Sequence, residues 1–355
     1  MVLVINPGST STKIAVYDRM EMMWQTTIRH TTEELSQYDN IGGQLPFRKQ
    51  LILEQLKESG IDLSSLQAVI GRGGLIKSIP SGVYCVNELM KEHLRLGYQG
   101  QHASNLGGLI AADIAGLCPQ DVQAYIADPV VVDELQPCAR IVGHPLFERR
   151  SVFHALNQKA VARMYARENG RPYEEMNLVV AHLGGGISVG AHRKGYVVDV
   201  NQALDGDGPF SPERSGTLPA RQLADICFSG KYTHSDVAAM ITGKGGLTAL
   251  CNNNNVQQLI DVAQAGDQHT ELILEALCYQ VAKEIGAMSA ALKGEVDSII
   301  LTGGIAYNAW ITDRIEAYIR FIAPVHVYPG EDEMAALALN AQMALSGEII
   351  PKEYQ

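Results

Sequence analysis

Two glycine- and hydroxyl-rich turns, each between two apolar runs, lie about half a chain apart: Ile5-Asn6-Pro7-Gly8-Ser9-Thr10-Ser11-Thr12-Lys13 and His182-Leu183-Gly184-Gly185-Gly186-Ile187-Ser188. Both read as strand, tight turn, strand. A chain built from one such unit twice folds into two similar halves, and two such halves would set two phosphate-cradling hairpins face to face across a cleft. The length agrees, since 355 residues at ~150 per domain is roughly two domains. The halves are expected at 1–150 and 151–355, with the boundary near 145–155, although no Pro/Gly/Ser linker marks it.

The rest of the chain mixes strand-like and helix-like patterns, which predicts α/β domains. Strands are expected at 2–6, 13–17, 68–71, 178–183 and 187–192, with 22–29 as a third, antiparallel strand of the first half. Residues 47–59 carry Leu51, Ile52 and Leu56 at helical spacing. Further helices are expected at 105–117, 152–169 and 271–293.

Composition excludes several classes of partner. With 39 acidic against 28 basic side chains, the formal charge is -11. That field repels nucleic acid and anionic membrane, and no Lys/Arg cluster offers a local exception. No stretch approaches the ~20 apolar residues of a membrane span. The six cysteines (Cys85, Cys118, Cys138, Cys227, Cys251, Cys278) include no C-x-x-C pair, so each reads as a small buried hydrophobe. The N-terminus runs straight into Val2-Leu3-Val4-Ile5 with no basic leader. A reduced, cytoplasmic protein is expected.

Three turns are candidates for anion binding. The first, at 7–12, offers consecutive backbone N–H groups and short hydroxyls, with Lys13 as a point charge. It is not a Walker A loop. The second, Gly184-Gly185-Gly186, follows a buried strand and leaves backbone bare for a phosphate. The third is the apolar strand 299–301 running through Thr302 into Gly303-Gly304 and on to Asn308. The carboxyl end of such a strand is where α/β sheets hold ligands.

Taken with the segments 71–74 (Gly-Arg-Gly-Gly), 128–133 (Asp-Pro-Val-Val-Val-Asp), 206–216 and 329–333 (Pro-Gly-Glu-Asp-Glu), these turns resemble the acetokinase family. That family belongs to the superfamily of actin, hexokinase and the heat-shock chaperone ATPases. The match runs in order from Val2 to Tyr354. It implies two duplicated α/β domains of ribonuclease-H-like topology flanking a nucleotide cleft, and a homo-oligomer. It also implies ATP, Mg²⁺ and a short fatty acid, converted to an acyl phosphate. Butyrate is the acid expected, with isobutyrate or isovalerate the alternative.

A carboxylate is already ionised at pH 7 and needs no general base. The task is to bring an anion up to a polyanion, so cations must carry the catalysis. The resemblance supplies Arg72, Arg214 and His154 for that purpose, with Asp128 orienting Mg²⁺ or an arginine. Arg72 would hold the substrate carboxylate, with Gly74 and His102 beside it. Gly74 stands where acetate kinases commonly carry Val, which suggests room for a longer acyl tail. Asn6, Thr10, Ser11, Thr12, Lys13, His182, Gly184, Gly185, Gly186, Gly303, Gly304 and Asn308 would contact the nucleotide, and Asn6 with Glu333 would hold Mg²⁺. One departure stands out: Asn255-Val256-Gln257 replaces the family's Asp-x-Arg beside the adenosine, and a Gln cannot stack or pair as a guanidinium does. A nucleotide-gated binding protein of the actin or chaperone type would need the hairpins but neither Arg72 nor Arg214.

Overall fold

The computed structural model describes all 355 residues. They form two compact units, Met1–Val132 with Asp332–Gln355, and Asp133–Glu331.

In unit 1 the strands are β1 (Val2–Pro7), β2 (Ser11–Asp18), β3 (Glu21–Arg29), β4 (Ala68–Arg72), β5 (Val83–Cys85) and β6 (Gln123–Ala127). The sheet order is β3-β2-β1-β4-β6-β5. The β1–β2 and β2–β3 pairs are antiparallel, and β1–β4 and β4–β6 are parallel. No residue of β1 is exposed, as expected for a central strand covered on both faces. Helices Asn105–Ala115 and Glu333–Leu345 pack against it. Helix Asn105–Ala115 reaches β4 by backbone contact: a Cβ on Gly71 would lie 2.1 Å from the Gly107 carbonyl, and one on Gly107 would lie 2.3 Å from that of Arg72. Two glycines therefore set the depth at which the end of β4 presents Arg72.

Unit 2 repeats the plan. Its strands are β7 (Asn177–Leu183), β8 (Ile187–Arg193), β9 (Tyr196–Val200), β10 (Ser298–Gly303) and β11 (Val325–Pro329), in the order β11-β10-β7-β8-β9. Here too the leading strands pair antiparallel, while β10 runs parallel to both β7 and β11. The duplication legible in the two turns is thus a duplication of sheet topology. Helix Gln268–Ala291 fills the unit's core through Leu274, Leu277, Val281 and Ile285, a 3–4-residue spacing that keeps one face inward.

Three expectations need correction. The units divide after Val132, not near 145–155, and the terminal segment from Asp332 returns to unit 1. Polar bonds tie 133–154 to unit 2: Arg149 reaches Asp199 at 2.8 Å and the Val200 carbonyl at 2.9 Å, and the Gln136 N–H donates to Val198. Second, the helix expected from 152 begins at Ala155, with His154 at its N-cap. Third, Cys138 and Cys227 are exposed, and only Cys278 is fully buried. Cys227 ends the helix Ala220–Cys227, which buries no residue at all. No helix is long and apolar enough to cross a membrane.

Candidate active site

At the carboxyl ends of β1 and β4, unit 1 gathers three of the expected site residues. Arg72 forms a fork on Glu333, with Nη1 donating to Oε2 at 3.0 Å and Nη2 lying 2.9 Å from Oε1. Asn6 Nδ2 donates to the same Oε2 at 2.6 Å. Glu333 is the first residue of its helix, behind Asp332, whose side chain caps Ala335 N–H. The helix is therefore capped by Asp332, and Glu333 is left to the arginine. No group of three or more His, Cys, Asp or Glu side chains is placed to hold a metal. The oxygens of Asn6 and Glu333 nevertheless suit Mg²⁺, which commonly takes one or two protein oxygens and completes its shell with water and phosphate.

Asp128 follows β6 with φ +38°, a left-handed conformation uncommon away from glycine and often tied to function. It is 1% exposed. Its Oδ1 accepts the Gly82 N–H at 2.8 Å, and its own N–H donates to the Gly82 carbonyl. The His102 ring accepts the Ser104 N–H at Nδ1, and its pKa lies below the ordinary histidine value because of desolvation first and the Arg72 charge second.

Gly74 does not border open space. A Cβ there would lie 2.6 Å from Asn105 Cα and 2.8 Å from Leu94 Cδ2. The glycine admits two helices to the strand end, and the expectation that it widens an acyl pocket is corrected accordingly. Thr12 is likewise turned inward: it is fully buried, with its hydroxyl bonded to Arg48 and His30. Thr10, Ser11 and Lys13 stay at the surface side of the turn.

Arg48 is the residue that sequence reasoning missed. It is 1% exposed and has no carboxylate partner. Instead Nη1 donates to the carbonyls of Gly8 and Ser11, Nη2 to that of Ser9, and both Nε and Nη2 to Gln44. The guanidinium draws the turn's carbonyls inward and sets a cation beneath it. Burial lowers its pKa to about 10, so it stays charged at neutral pH. The signal was present: Arg48, Ile52 and Leu56 share one buried helical face.

Unit 2 joins the second glycine turn to Arg214. The guanidinium abuts Gly186, where a Cβ would fall 1.7 Å from Nη1, and that nitrogen donates to the Ala203 carbonyl at 2.6 Å. Burial pulls its pKa below the usual arginine value, against the opposite pull of Glu213 and Asp205. His154 and His182 stack with centroids 3.8 Å apart and an interplanar angle of 10°. His182 Nδ1 is 2.8 Å from Asn157 Oδ1, and Nε2 is 3.3 Å from Glu331.

A cavity of about 570 Å³ lies beside them, lined among others by Gly184, Gly185, Glu213, Gln257, Gly304 and Asn308. Gly303 is not in the lining and packs on β7, where a Cβ would fall 2.4 Å from the Leu183 carbonyl oxygen. Within the wall, Asn254 Nδ2 donates to Glu213 and Asn308 Nδ2 donates to Gln257. Asn255 serves as the cap of helix Val256–Gln264. The family's Asp-x-Arg position is thus filled by a helix cap and an amide pair.

Comparison with known proteins accords with this architecture. Residues 142–322 match the Acetokinase family model. Butyrate kinase 1 of Clostridium acetobutylicum is 55% identical over 353 residues, 99% of each chain. A probable butyrate kinase of Bacteroides thetaiotaomicron is 53% identical over 354 residues, 100% of this chain and 99% of its own. Among solved structures, acetate kinase of Porphyromonas gingivalis superposes with TM-score 0.80 over 97% of this chain and 99% of its own, at 17% identity. Acetate kinase of Entamoeba histolytica gives TM-score 0.76 over 98% and 99%, also at 17% identity. The fold is theirs, and on full-length identity above half to curated relatives this chain belongs to the acetokinase family.

Proposed function

We propose that this protein transfers the γ-phosphoryl group of ATP to butyrate, reversibly, giving butanoyl phosphate and ADP. The observation that carries the reading furthest is the fork of Arg72 on a carboxylate at the end of β4. Glu333 there stands in for the geometry of the substrate acid: two oxygens, two guanidinium nitrogens, and a planar bidentate fit. Identity of 52–55% with curated butyrate kinases supports butyrate as the acid.

In the reaction one carboxylate oxygen attacks the γ-phosphorus, the bond to the β–γ bridging oxygen breaks, and the electron pair leaves with ADP. No proton moves, so no general base is required. Arg72 holds the carboxylate. Arg214, seated on Gly186, and the stacked His154 and His182 face charge on the phosphates, and the buried Arg48 adds positive potential under the first turn. Asn6 and Glu333 would hold Mg²⁺, which neutralises phosphate charge when bound. Asp128 would orient Mg²⁺ or an arginine. Nucleotide lies in the cavity walled by Gly184, Gly185, Gly304 and Asn308.

The test is hydroxamate formation from ATP with acetate, propionate, butyrate, isobutyrate or isovalerate. Greatest kcat/KM on butyrate is expected. A clear preference for a branched acid would reassign the substrate, and no hydroxamate with any acid would end the kinase reading.

A further inference from the structure

Buried side chains of unit 2 form an unbroken hydrogen-bonded line that ends on His154. Tyr173 Oη is 2.7 Å from His192 Nδ1, and His192 Nε2 is 2.9 Å from Gln158 Oε1. Gln158 Nε2 donates to the Ser188 carbonyl at 3.0 Å and to Ser188 Oγ at 2.8 Å. Ser188 Oγ is then 2.8 Å from His154 Nδ1. Gln158, Ser188 and His192 are each 0% exposed, so no water relieves a mismatch and every donor must meet an acceptor.

That condition fixes the direction of each bond. A backbone carbonyl only accepts, so the Ser188 carbonyl requires the NH₂ of Gln158 on its side and leaves Oε1 toward His192. His192 must therefore carry its hydrogen on Nε2. Burial first, then the charges of Lys159 and Arg163, hold its pKa well below the ordinary value, so Nδ1 is bare and accepts from Tyr173. At the other end, Ser188 Oγ accepts from Gln158 Nε2 and, at 3.4 Å, from the His154 backbone N–H. Both lone pairs are then used, and its single hydrogen goes to His154 Nδ1. The strand itself makes way for this line: a Cβ on Gly190 would fall 2.5 Å from Gln158 Oε1 and 3.2 Å from His192 Nε2.

We propose that Ser188 is a positioning residue for His154: oriented by Gln158 and His192, it donates its only hydrogen to Nδ1 and holds the neutral ring as the Nε2–H tautomer. His154 then meets the transferring phosphoryl group as a neutral hydrogen-bond donor at Nε2, and not as the cation expected from the sequence. The catalytic half rests on the role given to His154 above; the tautomer does not.

Two measurements test this. In the ¹⁵N-labelled full-length protein, long-range ¹H–¹⁵N correlations assigned by comparison with H154N should place the His154 hydrogen on Nε2 and leave Nδ1 bare. A hydrogen on Nδ1 would overturn the proposal, and this reading needs no Ser188 variant to fold. Kinetically, S188A should lower kcat about tenfold while changing the KM for ATP less than about twofold, a coupling typical of neighbours in one network. Added to H154N, S188A should cost less than about twofold further, because its effect passes through the ring. An equal loss in both backgrounds would make Ser188 merely structural and overturn the proposal. Wild-type kcat in H154N would overturn the catalytic half alone, with the spectrum still deciding the tautomer.

Discussion

Glu333 occupies the fork of Arg72, its two carboxylate oxygens lying 3.0 and 2.9 Å from the two terminal guanidinium nitrogens. The same carboxylate is the expected Mg²⁺ ligand, and the same guanidinium the expected seat of the substrate acid. Binding the substrate acid in that fork must open this pair.

E333A removes the competing carboxylate while leaving Asp332 to cap the helix. We predict that it raises the Mg²⁺ concentration needed for half-maximal activity about tenfold or more, while butyrate KM stays level or falls. Titration of initial rate against Mg²⁺ and butyrate decides it. An unchanged Mg²⁺ requirement would remove Glu333 from the metal site. The tenfold figure reflects loss of one of the two protein ligands from a weakly held ion.

Arg214 and Gly186 should fail together. Arginines on a transferring phosphoryl group contribute ~10³–10⁵ in rate, so R214A is expected to lose kcat on that scale. G186A places a methyl where the guanidinium lies, 1.7 Å from Nη1, and should give a loss of the same kind. The double variant should be no worse than R214A. Simple multiplication of the two losses would mean that Gly186 acts independently of the arginine.

Arg48 should matter to folding first. Replacing it with Met strands the carbonyls of Gly8, Ser9 and Ser11 and both oxygen partners at Gln44 and Thr12. A buried network broken on one side typically costs about 3 kcal/mol or more. Urea unfolding of R48M and R48K measures this, with R48K intermediate because it keeps charge and loses the fork. A loss below about 1 kcal/mol would show that the turn holds its shape unaided.

Glu284 gives the pH prediction. Burial first, then Asp207, raise its pKa to about 7 against the opposing pull of Arg149. Between the ordinary value of 4.5 and about 7 the folded chain keeps a proton that the unfolded chain has released. Stability on this account falls as pH rises through that window. E284Q keeps the shape without the charge, so it should be more stable than wild type at pH 8, by about 1–3 kcal/mol, and equal to it near pH 4. Equal stability at both values would mean that Glu284 titrates normally.

Much of this was legible in the chain. The paired turns carried the duplication because glycine-rich punctuation between β-branched runs is a local signal, and the seven strands expected lie within a residue or two of those observed, while β5, β6, β9 and β11 were not among them. The residues of the Asn6–Arg72–Glu333 cluster were each marked by a motif, but their mutual bonding joins positions 327 apart in sequence and only the sheet brings them together. The boundary was misplaced because 133–154 has no apolar period and owes its allegiance to Arg149 and its ion partners. The surroundings of Gly74 escape the sequence because what a Cβ there would meet is set by Leu94 and Asn105, distant residues that no local pattern places beside it. Arg48 hid in an otherwise apolar helical face, where a cation is not sought.

The most direct test of the central claim is a ³¹P NMR time course of the purified protein with ATP and Mg²⁺, with and without butyrate. The γ-phosphate signal should be lost only with butyrate present and should reappear mole for mole as an acyl phosphate, alongside ADP. Release of inorganic phosphate at the same rate without butyrate would contradict it and make the chain an ATPase of the binding-protein kind.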